Sequence, residues 1–146
     1  MEAVGVAASI AQLAGVGLAL AKALYSFYDS VPCYERVKEL SSYVRSTLIA
    51  LEEVGKVFEE ESKRTKPLIS ENAISTANDV VSSCTDIFNK LGKMVEDGQK
   101  NTAGFLTFPL KSSRLQALQM RLEQSKSNLQ LMMQIIIYAR LKVEHR

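Results

Sequence analysis

Ala3-Val4-Gly5-Val6-Ala7-Ala8-Ser9-Ile10-Ala11-Gln12-Leu13-Ala14-Gly15-Val16-Gly17-Leu18-Ala19-Leu20-Ala21 contains no charged residue, and the recurrence of its apolar side chains decides the fold. Val6, Ile10, Leu13, Gly17, Leu20, Leu24 and Phe27 follow one another at spacings of four and three, the seam of a helix packed on other helices. A second row, Ala3, Ala7, Ala11, Gly15, Ala19 and Ala23, puts a small residue at every fourth position; small-xxx-small rows let another backbone come close. Gly5, Gly15 and Gly17 each cost a water-exposed helix about 1 kcal/mol relative to Ala. A helix this apolar around its whole circumference is expected to be sheathed by the rest of the chain, to seek a membrane, or to do both at different times. At 19 residues, the uncharged stretch reaches transmembrane length.

Three more segments carry the same period. The second starts near Pro32, suited to a first helical turn, with a stripe of Val37, Leu40, Val44, Leu48, Leu51, Val54 and Phe58. Glu52–Lys56, Glu59–Lys63 and Glu60–Arg64 are i,i+4 pairs of favourable polarity, and the run Glu59-Glu60-Glu61 reads as a solvated helix end. The third starts at Ser70 as N-cap, carries Ile74, Ala77, Val81, Cys84, Phe88, Leu91 and Val95, and stops before Gly98 as C′ residue. The fourth opens after Pro109 with Ser113-Arg114-Leu115-Gln116, a capping-box pattern. Its stripe is Leu115, Leu118, Leu122, Ser125, Leu129, Met132, Ile136, Ala139 and Val143, with Met132 and Met133 as core filler. Helices are thus expected at about 3–29, 32–62, 70–97 and 113–144, forming one antiparallel four-helix bundle over residues 1–146. Short connections predict that consecutive helices are neighbours. Phe105 and Phe108, in an apolar linker, are expected to plug the end of the bundle.

Composition narrows function. The chain has 146 residues, 47% of them hydrophobic and 23% charged, with no Trp and one His, His145, next to the last residue. One terminal histidine makes neither a histidine metal site nor a plausible catalytic base. No GxGxxG, P-loop, HExxH or GxSxG pattern is present. The expectation is therefore a non-enzymatic module with no catalytic residue, no cofactor, no metal and no small-molecule substrate. Cys33 and Cys84 lack metal-ligand spacing and are expected to be free, small buried hydrophobes in a cytoplasmic protein. The N-terminus has no basic n-region of a secretory signal. Charge is asymmetric: residues 1–86 carry 8 Lys/Arg against 12 Asp/Glu, and residues 87–146 carry 10 against 4. The basic half can face anionic lipid, but its bases are not interleaved with stacking aromatics, so no nucleic-acid partner is expected.

The stretch Val6-Ala7-Ala8-Ser9-Ile10-Ala11-Gln12-Leu13 resembles the VAASIAGL opening of the fungal HeLo-like N-terminal domains found on NLR-like STAND receptors. Phe108-Pro109-Leu110-Lys111 stands where that family has a W-x-x-K turn, here without the Trp. Leu118 to Ile137, above all Leu122-Glu123-Gln124-Ser125-Lys126-Ser127-Asn128-Leu129-Gln130-Leu131-Met132-Met133, is similar to the family's LLERLQRHKSSLNLMLTIL helix. The resemblance spans nearly the whole chain, closely at both ends and loosely in the middle. It implies a helical bundle serving regulated cell death and heterokaryon incompatibility. In such domains an activating partner domain assembles the bundles and the N-terminal helix then targets the membrane. It also implies that the protein continues after Arg146.

On this reading the membrane-insertion candidates are Val4, Val6, Ile10, Ala11, Leu13, Gly15, Val16, Gly17, Leu18 and Leu20, and the bases that attract anionic lipid are Lys111, Arg114, Arg121 and Lys126. Partners are a second copy or an activating protein domain, and an anionic membrane. A non-lytic oligomerisation or interaction module, with the first helix only a core helix, is the alternative.

Overall fold

The computed structural model describes residues 2–28, 34–66, 68–100 and 112–144. Among the described residues it holds four helices, α1 (Glu2–Tyr28), α2 (Tyr34–Ser62), α3 (Glu71–Lys100) and α4 (Ser112–Glu144), and no strand. The fold is an all-α helical bundle. The Ser70 hydroxyl accepts the Ala73 N–H at 3.1 Å, which makes it the N-cap of α3. Gly98 does not end that helix, which runs on to Lys100. Without a left-handed backbone at its glycines, the helix absorbs the roughly 1 kcal/mol that an interior Gly costs.

The stripes read from the sequence are the core. Leu13, Leu20, Leu51, Phe88, Leu122 and Leu129 are all buried, together with Val6, Ile10, Leu24, Val54, Phe58, Leu91 and Ile136. Cys84 is buried and free, as expected. Two edges differ. Val80, Ile87 and Met94 join the core of α3 from a second row beside the predicted stripe. Val143 is exposed, because the end of α2 meets α4 at Arg140 and the last turn of α4 projects past it. The side chains of Phe27, Val37, Ser113 and Leu115, and residues Pro32, Cys33, Phe105, Phe108, Pro109 and His145, lie outside the described portion.

Helix directions follow from contacts. Ile10 of α1 lies against Gly55 of α2, and Gly17 against Leu48, so these two helices are antiparallel. Arg121 of α4 pairs with Asp86 of α3, while Ser125 lies beside Cys84, again antiparallel. Tyr43 shares a groove with Gln116, Met120 and Glu123, and Glu60 pairs with Arg140, so α2 and α4 run parallel. Directions alternate along the chain as expected. The expected neighbour relation holds for α1–α2 and α3–α4 but not for α2–α3: α1 packs on α2 and α3, α4 packs on the same two helices, and the 63–70 connection links helices across a diagonal.

Candidate functional site

The surface that sequence and structure single out is the outward side of α1. Ala3–Ser26 has a mean hydropathy of 1.9 and is long and apolar enough to cross a membrane, yet only 33% of that window is buried inside the bundle. Sheathing by the rest of the chain, the first of the fates expected for this helix, is thus met on one side only. The helix rests on two of the other three and makes no extensive contact with α4, because a helix in a four-membered ring touches two neighbours and shows its remaining side to water.

The ten insertion candidates divide by face. Val6, Ile10, Leu13, Gly17 and Leu20 are buried in the seam, whereas Val4, Ala11, Gly15, Val16 and Leu18 face outward, Val4 with 53% and Leu18 with 51% of their surface exposed. The small-residue row does not serve close packing along its length. At about 100° per residue, an i,i+4 row moves around the helix by about 40° per step, whereas alternating threes and fours stay on one side. Hence Ala3 is buried, Ala7 half-buried, Ala11, Gly15 and Ala19 exposed, and Ala23 half-buried again. A Cβ at Gly15 would meet nothing within 4 Å. Gly17 is the close approach: a Cβ there would strike Leu48 and come within 2.8 Å of Phe88. Around α1 the outward side stays uncharged from Ala3 until Lys22.

The basic candidates are less concentrated than their spacing implied. Lys111 and the side chain of Arg114 lie outside the described residues. Arg121 Nη1 stands 3.1 Å from Asp86 Oδ2, and Lys90 Nζ is 3.0 Å from the same oxygen. Hydrogen bonds from Lys90 and Arg121 hold the exposed Asp86 carboxyl below its ordinary range. Arg121 thus already has an anionic partner on α3, and Lys126 is half-buried. Both stand on α4, diagonally across the bundle from α1, so one flat contact does not present the basic residues and the outward side of α1 together.

One polar cluster was missed by the sequence reading. Glu61, expected in solvent, has 0% of its surface exposed. Its Oε1 accepts Arg140 Nε at 2.7 Å and its Oε2 accepts the Leu68 N–H at 3.0 Å. Arg140 also donates to Glu60 Oε2 at 2.8 Å and to the Val57 carbonyl at 3.3 Å. Burial alone would lower the Arg140 pKa, but the two carboxylates outweigh it and hold the guanidinium above its ordinary value. Glu60 therefore turns to Arg140 rather than to Arg64, whose Nε lies 3.9 Å from Glu61; Glu59–Lys63 is paired as expected at 3.7 Å. The signal was present: Leu51, Val54, Phe58 and Glu61 continue one 3,4,3 stripe, and Arg140 follows Ile136 by four. Opposite charges at core positions of two helices announce a buried pair.

Burial raises the Cys84 thiol, partly offset by a hydrogen bond with Ser125 and by Arg121, so it stays a protonated packing group. Among the described residues no group of three His, Cys, Asp or Glu side chains is placed to hold a metal. No family model matches the chain, and no curated protein or solved structure matches it either.

Proposed function

We propose that this protein is a non-enzymatic, cytoplasmic effector or signalling domain of regulated cell death, similar in role to the HeLo-like domains it resembles, that oligomerises on activation and targets anionic membranes through α1. The observation that carries the reading is the position of α1: a helix of membrane-spanning length that leaves most of its uncharged surface outside the core. Ala and Gly make that surface weakly hydrophobic, which suits a conditional inserter rather than a constitutive anchor. Its seam residues are 1–5% exposed at Val6, Ile10, Leu13 and Leu20, so insertion of the whole helix competes with bundle packing and needs a trigger. An activating protein domain or a second copy supplies that trigger, and neither nucleic acid nor a small-molecule substrate takes part.

A specific observation supports the alternative of a non-lytic interaction module. The same seam makes α1 an integral core helix, and Arg121 is already neutralised by Asp86. Dye release separates the two. The wild type, Ala11→Glu and Leu18→Glu are each fused to a tetramerising coiled coil and mixed with anionic and with neutral liposomes. Ala11 and Leu18 are exposed, so the variants keep the fold, which circular dichroism verifies; deleting residues 1–20 would instead remove a core helix. The effector reading expects release from anionic liposomes by the wild type and at least a tenfold loss in both variants. Equal behaviour of all three proteins leaves the interaction module.

A further inference from the structure

Where the C-terminal half of α1 meets α2, the groove between them deepens into two joined hollows. The contacts of Ile10 with Gly55 and of Gly17 with Leu48 set the level of these antiparallel helices, so Tyr25 stands beside residue 40 and Lys22 beside residue 43. The first hollow, about 380 Å³, is lined by Tyr25, Lys38, Ser41, Ser42 and Arg45. The four on α2 follow the i, i+3, i+4, i+7 spacing that keeps side chains on one face. Ser41, 9% exposed, forms the floor, and the exposed Lys38, Ser42 and Arg45 form the rim. The second hollow, about 650 Å³, shares Tyr25 and Arg45 with the first and continues past Lys22 onto Leu18, Ala21, Leu48 and Ile49. Leu18 and Ile49 are exposed there at 51% and 59%.

The geometry points to a binding site for one anionic phospholipid, its headgroup phosphate held among Lys22, Lys38 and Arg45 and its acyl chains laid along Leu18 and Ile49. Charge selects the anion. Among the described residues none of these three cations is in an ion pair, whereas Arg121 and Arg140 each have a carboxylate. Like charges gathered along one groove repel until an anion comes between them. The rim selects phosphate. A guanidinium fork matches two phosphate oxygens, lysines add point charges, and serine hydroxyls donate to the oxygens that remain. A phosphate monoester offers them about −1.5 to −2 charges and three acceptor oxygens, more than a carboxylate can. The apolar second hollow selects an amphiphile, because a soluble ester would leave Leu18 and Ile49 in water. Glu52, the one carboxylate among the described lining residues, stands about 10 Å from Arg45 along α2, away from the phosphate. The site puts cations beside the outward side of α1, which the bases of α4 do not. The inference rests on the anionic-membrane part of the preceding reading. Its test uses lipid monomers and no fused coiled coil, so its failure is distinct from a failure of dye release.

The test is titration of the 146-residue chain, followed by backbone amide NMR, with dihexanoylphosphatidic acid, dihexanoylphosphatidylcholine and glycerol 3-phosphate, the two lipids kept below micelle formation. The phosphatidic acid is expected to shift the amides of residues 18–26 and 38–49 saturably. It should bind about tenfold more tightly than either other probe, since one lacks net charge and the other lacks chains. Lys38→Gln and Arg45→Gln should each weaken it about tenfold, the worth of one hydrogen bond to a charged group. Ile49→Ser should weaken the phosphatidic acid and leave glycerol 3-phosphate unchanged, and Lys126→Gln on α4 should alter neither. Circular dichroism verifies that every variant is folded. A phosphatidic acid titration without saturation overturns the proposal, as does an equal loss in Arg45→Gln and Lys126→Gln, the mark of diffuse attraction. Glycerol 3-phosphate binding as tightly as the phosphatidic acid overturns it in favour of a soluble phosphate ester, and the choline lipid doing so reduces the groove to an apolar contact.

Discussion

The outward sides of α1 and of the second half of α4 are both apolar and stand at diagonally opposed corners of the bundle, yet they are built from different residues. On α1 that side mixes the small Ala11, Gly15 and Ala19 with Val4, Val16 and Leu18; on α4 it is Leu131, Ile135 and Tyr138. At about 25 cal/mol per Å² of apolar surface, exposing Ala or Gly costs little and exposing Leu, Ile or Tyr costs several times more. A helix can therefore be uncharged over five turns and still be stored in water if small residues make up much of its outer side, whereas the face of α4 is bulky throughout. Hydropathy averaged along a helix does not see this difference; side-chain size on one face does.

The end of α4 offers the largest perturbation. Its outer face is held in place where Arg140 grips the C-terminal end of α2 through Glu61, and α2 and α4 are parallel, so Arg140 also sits where two negative helix ends come together. Glu61→Ala or Arg140→Ala is expected to destabilise the fold by about 3–5 kcal/mol, because each strands its partner in a largely buried site. The double variant Glu61→Leu/Arg140→Met should regain most of that loss. Urea denaturation measures both, and native-state hydrogen exchange should show Leu68 losing protection first. A loss below about 0.5 kcal/mol in each single variant, the range of ordinary surface substitutions, would mean that α4 is not fastened there.

On α1 the inward and outward sides can be told apart with two glycines. Gly17→Val drives a side chain into Leu48 and Phe88 and should cost about 1–3 kcal/mol by overpacking. Gly15→Ala meets open space and should instead stabilise the helix by about 1 kcal/mol, the difference in propensity. Thermal midpoints moving in opposite directions sharpen the division of α1 into a packed and a free side. Midpoints moving together would erase it.

The smallest effect concerns Asp86, Lys90 and Arg121 on the flank between α3 and α4. Because the folded-state pKa of Asp86 is depressed, its contribution is fully present above the unfolded carboxylate value of about 3.9 and fades as pH falls through the folded value. Carboxyl chemical shifts should show Asp86 titrating below that value in the wild type and closer to it in Arg121→Gln. Stability at neutral pH should hardly change, since the pair is exposed. An unchanged titration would free Arg121 for lipid and weaken the contrast with α1.

Periodicity by itself determined the four helices, the seam of α1 and most of the core, because burial in a bundle follows a 3.6-residue repeat that one sequence displays openly. It also contained the positions of Glu61 and Arg140 on core stripes, although a charged residue beside two more glutamates reads as solvent until its partner on another helix is known. Three things needed the tertiary structure. The ring order, with α2 and α3 across a diagonal, is set by packing between helices rather than by the length of their connection. The split of α1 into five inward and five outward candidates depends on how the helix is rotated about its axis, which the neighbours fix. The bare face of α4 exists because α2 and α3 cover only one side of a helix that is apolar on two, and no property of a single helix records which of its sides the others leave open.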